Sequence, residues 1–227
     1  MKDKMKDSVR ENLEEYNIEG SENIDGYIDD IVEKICVEFE EYEDYHPAIL
    51  GEESGQKLYD LIRKLEPEIM VETGVCNGFS SSVILKAMEE NGKGHLYSVD
   101  LPANIDELNE KERTGAVLPP GKESGWAVPD NLRDRWTLKI GNTYHELPKI
   151  FEEISRDIDI FLHDSDHSYE TMMFEFSLAW RNLKEDHFLL ADNIDFSKAF
   201  FHFTEAKGLK RYRVADMGMM INKINES

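Results

Sequence analysis

Val71-Glu72-Thr73-Gly74-Val75-Cys76-Asn77-Gly78-Phe79-Ser80-Ser81 is the stretch from which the rest of the chain is read. The apolar run from Ile69 to Val75 is short and closed by a glycine turn, as expected of a strand buried on both faces of a parallel sheet. Gly74 lets the backbone turn sharply at the strand's end, and Gly78 permits close approach of a ligand to the next helix's N-terminus. That helix is expected from about Ser80 to Glu90, ending near Gly92. Two glycines serve a purely structural turn equally well, so their meaning depends on what surrounds them.

Upstream, Leu58, Leu61, Ile62 and Leu65 recur at helical spacing after Ser54, a plausible N-cap, and the helix stops near Pro67. Downstream the pattern alternates. Strands are expected at His95 to Asp100, Thr137 to Ile140, Ile158 to His163 and His187 to Asn193. Helices are expected at Tyr144 to Ile154, Tyr169 to Leu183 and Phe196 to Lys207, with Arg211 to Ala215 and Met219 to Ile224 pairing as a closing hairpin. This order implies an α/β fold, a doubly wound parallel sheet with ligands at the carboxyl ends of its strands.

The segment Leu101 to Arg135 is polar, contains Pro119-Pro120-Gly121, and is long for a loop in such a sheet, which is the character of a lid. Trp126 suits closure over a substrate and anchoring of the loop to the core equally well. From Asp7 to about Tyr45 the chain is strongly acidic, with Ile28, Ile31, Val32, Ile35, Val37 and Phe39 partly at helical spacing, and His46-Pro47 then breaks the pattern. Residues 1–53 are therefore expected to form a helical cap or appendage on a main domain of residues 54–227. A cap of this kind suits a homodimer interface, while a solvated amphipathic appendage explains the same pattern.

The formal net charge of −22 repels nucleic acid phosphates and anionic lipid, so neither nucleic acid nor membrane is an expected partner. Cys36 and Cys76 stand far apart, giving neither a disulfide framework nor a zinc site, and no run is long enough to span a bilayer. A reducing, cytoplasmic setting is the expectation.

Carboxylates mark the strand ends. Glu72 precedes the first glycine, where it suits the ammonium of an amino-acid moiety, and Asp100 ends the next strand, where it can accept bonds from both hydroxyls of a ribose. The spacing Gly-x-x-x-Gly lacks the dinucleotide fingerprint Gly-x-Gly-x-x-Gly, and no Tyr-x-x-x-Lys dyad accompanies it, which disfavours a nicotinamide-dependent oxidoreductase. A second constellation is Phe161-Leu162-His163-Asp164-Ser165-Asp166-His167-Ser168-Tyr169-Glu170, with Ala191-Asp192-Asn193 at the end of the following strand. Adjacent parallel strands would bring Asp164, Asp192 and Asn193 together as three oxygen ligands, a set suited to magnesium, manganese or calcium rather than zinc. A structural alternative has Asp164 assisting a cofactor, Asp192-Asn193 capping a turn and His167 opening a helix. His163 is read as sheet packing, and Met172, Met173, Phe174, Phe176, Leu178 and Trp180 as the core face of a helix.

The loop at Val71–Ser81, followed by Leu96-Tyr97-Ser98-Val99-Asp100, resembles the first two motifs of class I S-adenosylmethionine (SAM)-dependent methyltransferases. The resemblance implies a Rossmann-like, seven-stranded sheet with a reversed last strand, and a SAM site at Glu72, Gly74, Asn77, Gly78, Ser80, Ser81, Asp100 and, in the place of a common Gly-Asp pair, Asn142. The acidic constellation resembles metal-dependent O-methyltransferases of the catechol and caffeoyl-CoA type, in which Asp, Asp and Asn hold the ion. It is similar also to the bacterial group of macrocin and rhamnosyl O-methyltransferases and the so-called cephalosporin hydroxylases.

What this implies is methyl transfer to a small hydroxylated acceptor. An alcohol or phenol must lose its proton before attacking the sulfonium methyl, and a divalent ion such as Mg2+, Mn2+ or Ca2+ assists by lowering the hydroxyl's pKa. His167 is the expected proton acceptor, with Asp166 second. A metal-independent methyltransferase with a nitrogen or oxygen acceptor, and a noncatalytic assembly protein working through its acidic helices, are the other readings.

Overall fold

The computed structural model describes residues 23–42, 45, 47–103 and 116–222. Two helices, α1 (Asp25–Val37) and α2 (Glu52–Leu65), precede the sheet. There follow β1 (Ile69–Thr73), α3 (Phe79–Asn91), β2 (His95–Asp100), β3 (Trp136–Ile140), α4 (Thr143–Ile154), β4 (Ile158–His163), α5 (Tyr169–Asn182), β5 (Leu183–Ala191), α6 (Ala199–Lys207), β6 (Tyr212–Val214) and β7 (Met217–Ile221). The strands form one seven-stranded sheet in the order β3-β2-β1-β4-β5-β7-β6. Strands β1 to β5 pair in parallel, and β7 inserts antiparallel between β5 and β6. This is the Rossmann-like sheet with a reversed last strand expected from the sequence.

The order reverses between β1 and β4. Chain entering β1 steps outward to β2 and β3 and then returns to the far side of β1, so loops leaving β1 and β4 diverge and open a crevice at their carboxyl ends. The central strands β1 and β4 are buried along their whole length, and their polar members Glu72, Thr73, Asp159 and His163 are hydrogen-bonded within the fold. Register then decides which side chains meet. Thr73 pairs with His163 and His163 with Ala191, so Gly74, Asp164 and Asp192 emerge from three adjacent strands at one level.

Several boundaries differ from the sequence reading. The helix expected from Ser54 begins at Glu52 with Gly51 as N-cap; Ser54 is buried in the first turn and accepts a bond from the Asp216 backbone amide. Strand β5 starts at Leu183, four residues early, because α5 passes into it without a turn and the polar Lys184, Glu185 and Asp186 mask its beginning. Helix α6 begins at Ala199 rather than Phe196, which is 75 % exposed.

Ile28, Ile31 and Ile35 of α1 are buried in the same cluster as Leu58, Leu61 and Ile62 of α2 and Val83, Ile84 and Leu85 of α3. The opposite face of the sheet carries a second cluster around Phe161, Phe176 and Phe200 from β4, α5 and α6. Among the described residues no helix is long and apolar enough to cross a membrane. His46, residues 1–22 and residues 104–115 of the long segment lie outside the described residues.

Candidate active site

A cavity of about 870 Å³ opens at the carboxyl ends of β1, β2, β4 and β5. Gly74, Val75, Ser80, Asp100 and Asn142 line one part of it, and Asp164, Asp166, His167, Asp192 and Asn193 another. Its volume lies within the range of small-molecule and cofactor sites.

The glycine turn is shaped by chain packing as much as by ligand access. A Cβ on Gly74, whose φ is +85°, would lie 1.9 Å from the carbonyl oxygen of Asp164, and one on Gly78, at φ +94°, 2.8 Å from the Cα of Gly125. Gly74 thus joins the β1 turn directly to the acidic constellation. Gly78 instead admits the segment that follows β2, and lines no part of the cavity.

Glu72, Asn77 and Ser81 are fully buried and, contrary to the sequence reading, lie off the cavity wall. Both oxygens of Glu72 are occupied by hydroxyls: Ser80 donates to one at 2.6 Å, and Ser81 and Ser98 to the other at 2.6 and 2.8 Å. Burial pushes its carboxyl up to about 7 despite these bonds. Glu72 therefore organises the loop from behind, through Ser80, which itself lines the cavity. Asn77 accepts from Trp126 Nε1 at 2.8 Å, and its carbonyl from the Ala127 amide at 3.0 Å.

Trp126 is accordingly an anchor. Lys122 lies 4.5 Å from its ring centroid, and Gly125 N donates to the Cys76 carbonyl at 2.8 Å. The described part of the long segment is pinned to the glycine turn at Trp126, while Pro102, Ala103, Ala116 and Leu118 line the cavity. Asp100 does face the cavity; Oδ1 accepts from the Val75 amide at 3.0 Å and Oδ2 from the Ser124 hydroxyl. Asn142 lines the cavity as the N-cap of α4, accepting from the Tyr144 amide at 2.9 Å.

Across the crevice Asp164, His167 and Asp192 each offer a ligand atom within 4.8 Å of the others. Asp164 keeps some surface on the cavity while protein closes it in elsewhere. Burial, then the neighbouring Asp192 and Glu72 charges, hold its carboxyl well above the usual range. Asp192 is raised as well, chiefly by burial. Asn193 lines the cavity beside them: its Nδ2 donates to Asp192 Oδ2 at 2.5 Å and lies 3.4 Å from His167 Nε2. His167 joins the two carboxylates as a converging donor, and Asn193, also on the cavity wall, contacts two members of the set.

Burial, and after it the adjacent His163 ring, takes His167 down to about 4, so at neutral pH it is an uncharged nitrogen donor and a weak store for a proton. Asp166, the second candidate for proton acceptor, is turned away from that role. Although burial raises its pKa, bonds from Ser168 and Thr171 in the first turn of α5 bring it below the usual carboxylate range. At the cavity mouth the exposed Phe196 ring lies 5.5 Å from that of His167, centroid to centroid.

Of two further residues beside the site, His163 was read from the sequence as sheet packing and Glu175 was passed over. His163 and Glu175 are both fully buried, with His163 Nδ1 2.7 Å from Glu175 Oε2 and His163 Nε2 3.3 Å from His167 Nδ1. The available signal was Glu175 itself, a lone carboxylate within the apolar run Met172 to Trp180, since a buried charge demands partners.

The profile of the methyltransferase domain family matches residues 71–194, more than half of the chain. No curated protein matches it. Among solved structures the fold is similar to an O-methyltransferase from Bacillus cereus in complex with SAH, at 16 % identity and TM-score 0.58, covering 88 % of this chain and 97 % of that one. It is similar also to the O-methyltransferase TomG of tomaymycin synthesis from Streptomyces achromogenes, in complex with SAM, at 12 % identity and TM-score 0.62, over 96 % and 98 % of the two chains. A SAH-bound methyltransferase from Podospora anserina aligns at 12 % identity and TM-score 0.61, over 93 % and 92 %.

Proposed function

Because the chain belongs to the methyltransferase domain family, we propose that it transfers the methyl group of SAM to a hydroxyl of a small acceptor, with a divalent cation held at Asp164, Asp192 and His167. The observation that carries this reading is the shared cavity, in which the Gly74 turn and Asp100 face the same space as the acidic cluster. A methyl donor on one side and an activated hydroxyl on the other need such a space.

The residues fit both groups. Asp100 already accepts a hydroxyl, that of Ser124, which is the kind of donor a ribose presents. The Gly74 turn, Ser80 and Asn142 complete that side of the cavity. On the other side two carboxylates stand together with no ion pair to any described lysine or arginine, an arrangement that favours a bound cation over two buried negative charges. With an imidazole nitrogen among the donors, Mn2+ suits the set better than Mg2+ or Ca2+, which prefer oxygen throughout. When bound, such an ion lowers the pKa of an acceptor hydroxyl and fixes its oxygen. A nitrogen acceptor has no need of that help, which supports oxygen.

The test is isothermal titration with SAM, followed by turnover on a panel of hydroxylated acceptors with Mn2+, with Mg2+ and with a chelator. SAM binding and chelator-sensitive turnover are expected. Folded protein that binds no SAM would overturn the reading, and equal rates with chelator would remove the ion from it.

A further inference from the structure

The long segment between β2 and β3 sends one side chain to the Asp100 end of the crevice. Ser124 is only 6 % exposed and forms no part of the cavity wall, yet its hydroxyl donates to Asp100 Oδ2, while the Val75 amide donates to Oδ1 at 3.0 Å. Asp100 itself lines the cavity. Each oxygen of the carboxylate is thus held once by the protein, and each keeps a second acceptor position for a ligand.

The backbone beside Ser124 is fixed on several sides. Gly125 N donates to the Cys76 carbonyl at 2.8 Å, and the Gly125 carbonyl accepts from Arg133 Nη2 at 2.8 Å. A Cβ on Gly125, at φ +69°, would lie 2.1 Å from Trp136 Cη2, and one on Gly78 would lie 2.8 Å from the Gly125 Cα. The next residue, Trp126, donates to Asn77 Oδ1 at 2.8 Å, and Trp136 of β3 donates to Ser98 of β2 at 2.9 Å. Gly125 is therefore wedged between the glycine turn and the Trp136 ring, and Ser124 cannot retreat from Asp100 without breaking these contacts.

An aspartate free on a cavity wall turns among several rotamers, and fixing it on binding costs affinity. One held at both oxygens presents its remaining lone pairs in a single direction before any ligand arrives. We propose that Ser124 is a positioning residue of the cofactor site, which holds the Asp100 carboxylate so that it meets both ribose hydroxyls of SAM. The inference rests on the SAM reading of the cavity given above, and it gives the segment after β2 a part in binding the methyl donor.

Isothermal titration of the full-length protein with S-adenosylhomocysteine and with its analogue lacking both ribose hydroxyls separates positioning from packing. Ser124→Ala should weaken S-adenosylhomocysteine by about 10-fold, the effect of one hydrogen bond to a charged group, and leave affinity for the analogue unchanged. Without hydroxyls on the ligand, the aim of the carboxylate no longer matters. A packing defect would weaken both ligands alike, so equal losses overturn the proposal. Unchanged affinity for S-adenosylhomocysteine in the variant does so as well. If the unaltered, folded protein binds no S-adenosylhomocysteine, the SAM reading itself falls and takes this assignment with it, an outcome seen without any variant.

Discussion

A carboxyl group that receives three hydroxyl bonds is still an expensive charge when no water reaches it. Glu72 is in that position, and its folded value of about 7 against an ordinary 4.5 has a definite sign. Between those two pH values the folded chain holds a proton that the unfolded chain has released, so stability falls as pH rises through the window. The difference corresponds to about 3 kcal/mol at most, fully expressed above neutrality. Glu72→Gln keeps the size of the side chain and removes the titration. Urea unfolding at about pH 5 and pH 8 should show the variant losing up to about 3 kcal/mol less than the unaltered protein over that interval. Identical pH dependence would mean that Glu72 stays ionised in the fold. Asp192 is present in both proteins, and Asp164, which the Glu72 charge helps to raise, titrates lower in the variant and moves the comparison in the same direction.

Among elements, the contact that couples the two halves of the site is backbone to backbone. The β1–α3 turn lies against the β4–α5 loop at Gly74, where no side chain fits and the φ of +85° is one that L-residues avoid. Gly74→Ala should therefore cost well over the ~1–2 kcal/mol of a left-handed alanine, since either the Asp164 carbonyl or the turn must move. Thermal unfolding measures the loss, and a drop no larger than that strain alone would show the two loops to be free of one another. Element boundaries were legible where periodicity was clean: β2 and β4 fall where their apolar runs place them. They were misread where a helix ran straight into β5 through charged residues, because no turn residue marks that junction.

At the scale of the whole molecule, a cation bound only by the folded state must raise stability by mass action. With Mn2+ at about a hundred times its dissociation constant the gain is about 2.7 kcal/mol. In a chain of this size that is a Tm increase of about 5–10 °C. Asp192→Ala should abolish the increase, as should chelator; a shift that persists in the variant would place the ion elsewhere.

Local signals determined the architecture. Alternating apolar runs, glycines after them and carboxylates at strand ends are all visible along a few residues, and they were enough to place Asp100, Asp164 and Asp192 at one edge of a parallel sheet. They also sufficed for the methyltransferase resemblance that the family match bears out. Which of those groups face the cavity was a different matter. Glu72, Asn77 and Ser81 belong to the same motif as Gly74 and Ser80, yet they turn inward to Ser98, Trp126 and one another. The line from Thr73 through Glu175 and His163 to His167 joins β1 to a helix 102 positions later. Spacing along the chain carries no record of such a pairing. Only the folded structure decides it, because a buried polar group must find its partners among whatever side chains the packing of distant elements brings within reach.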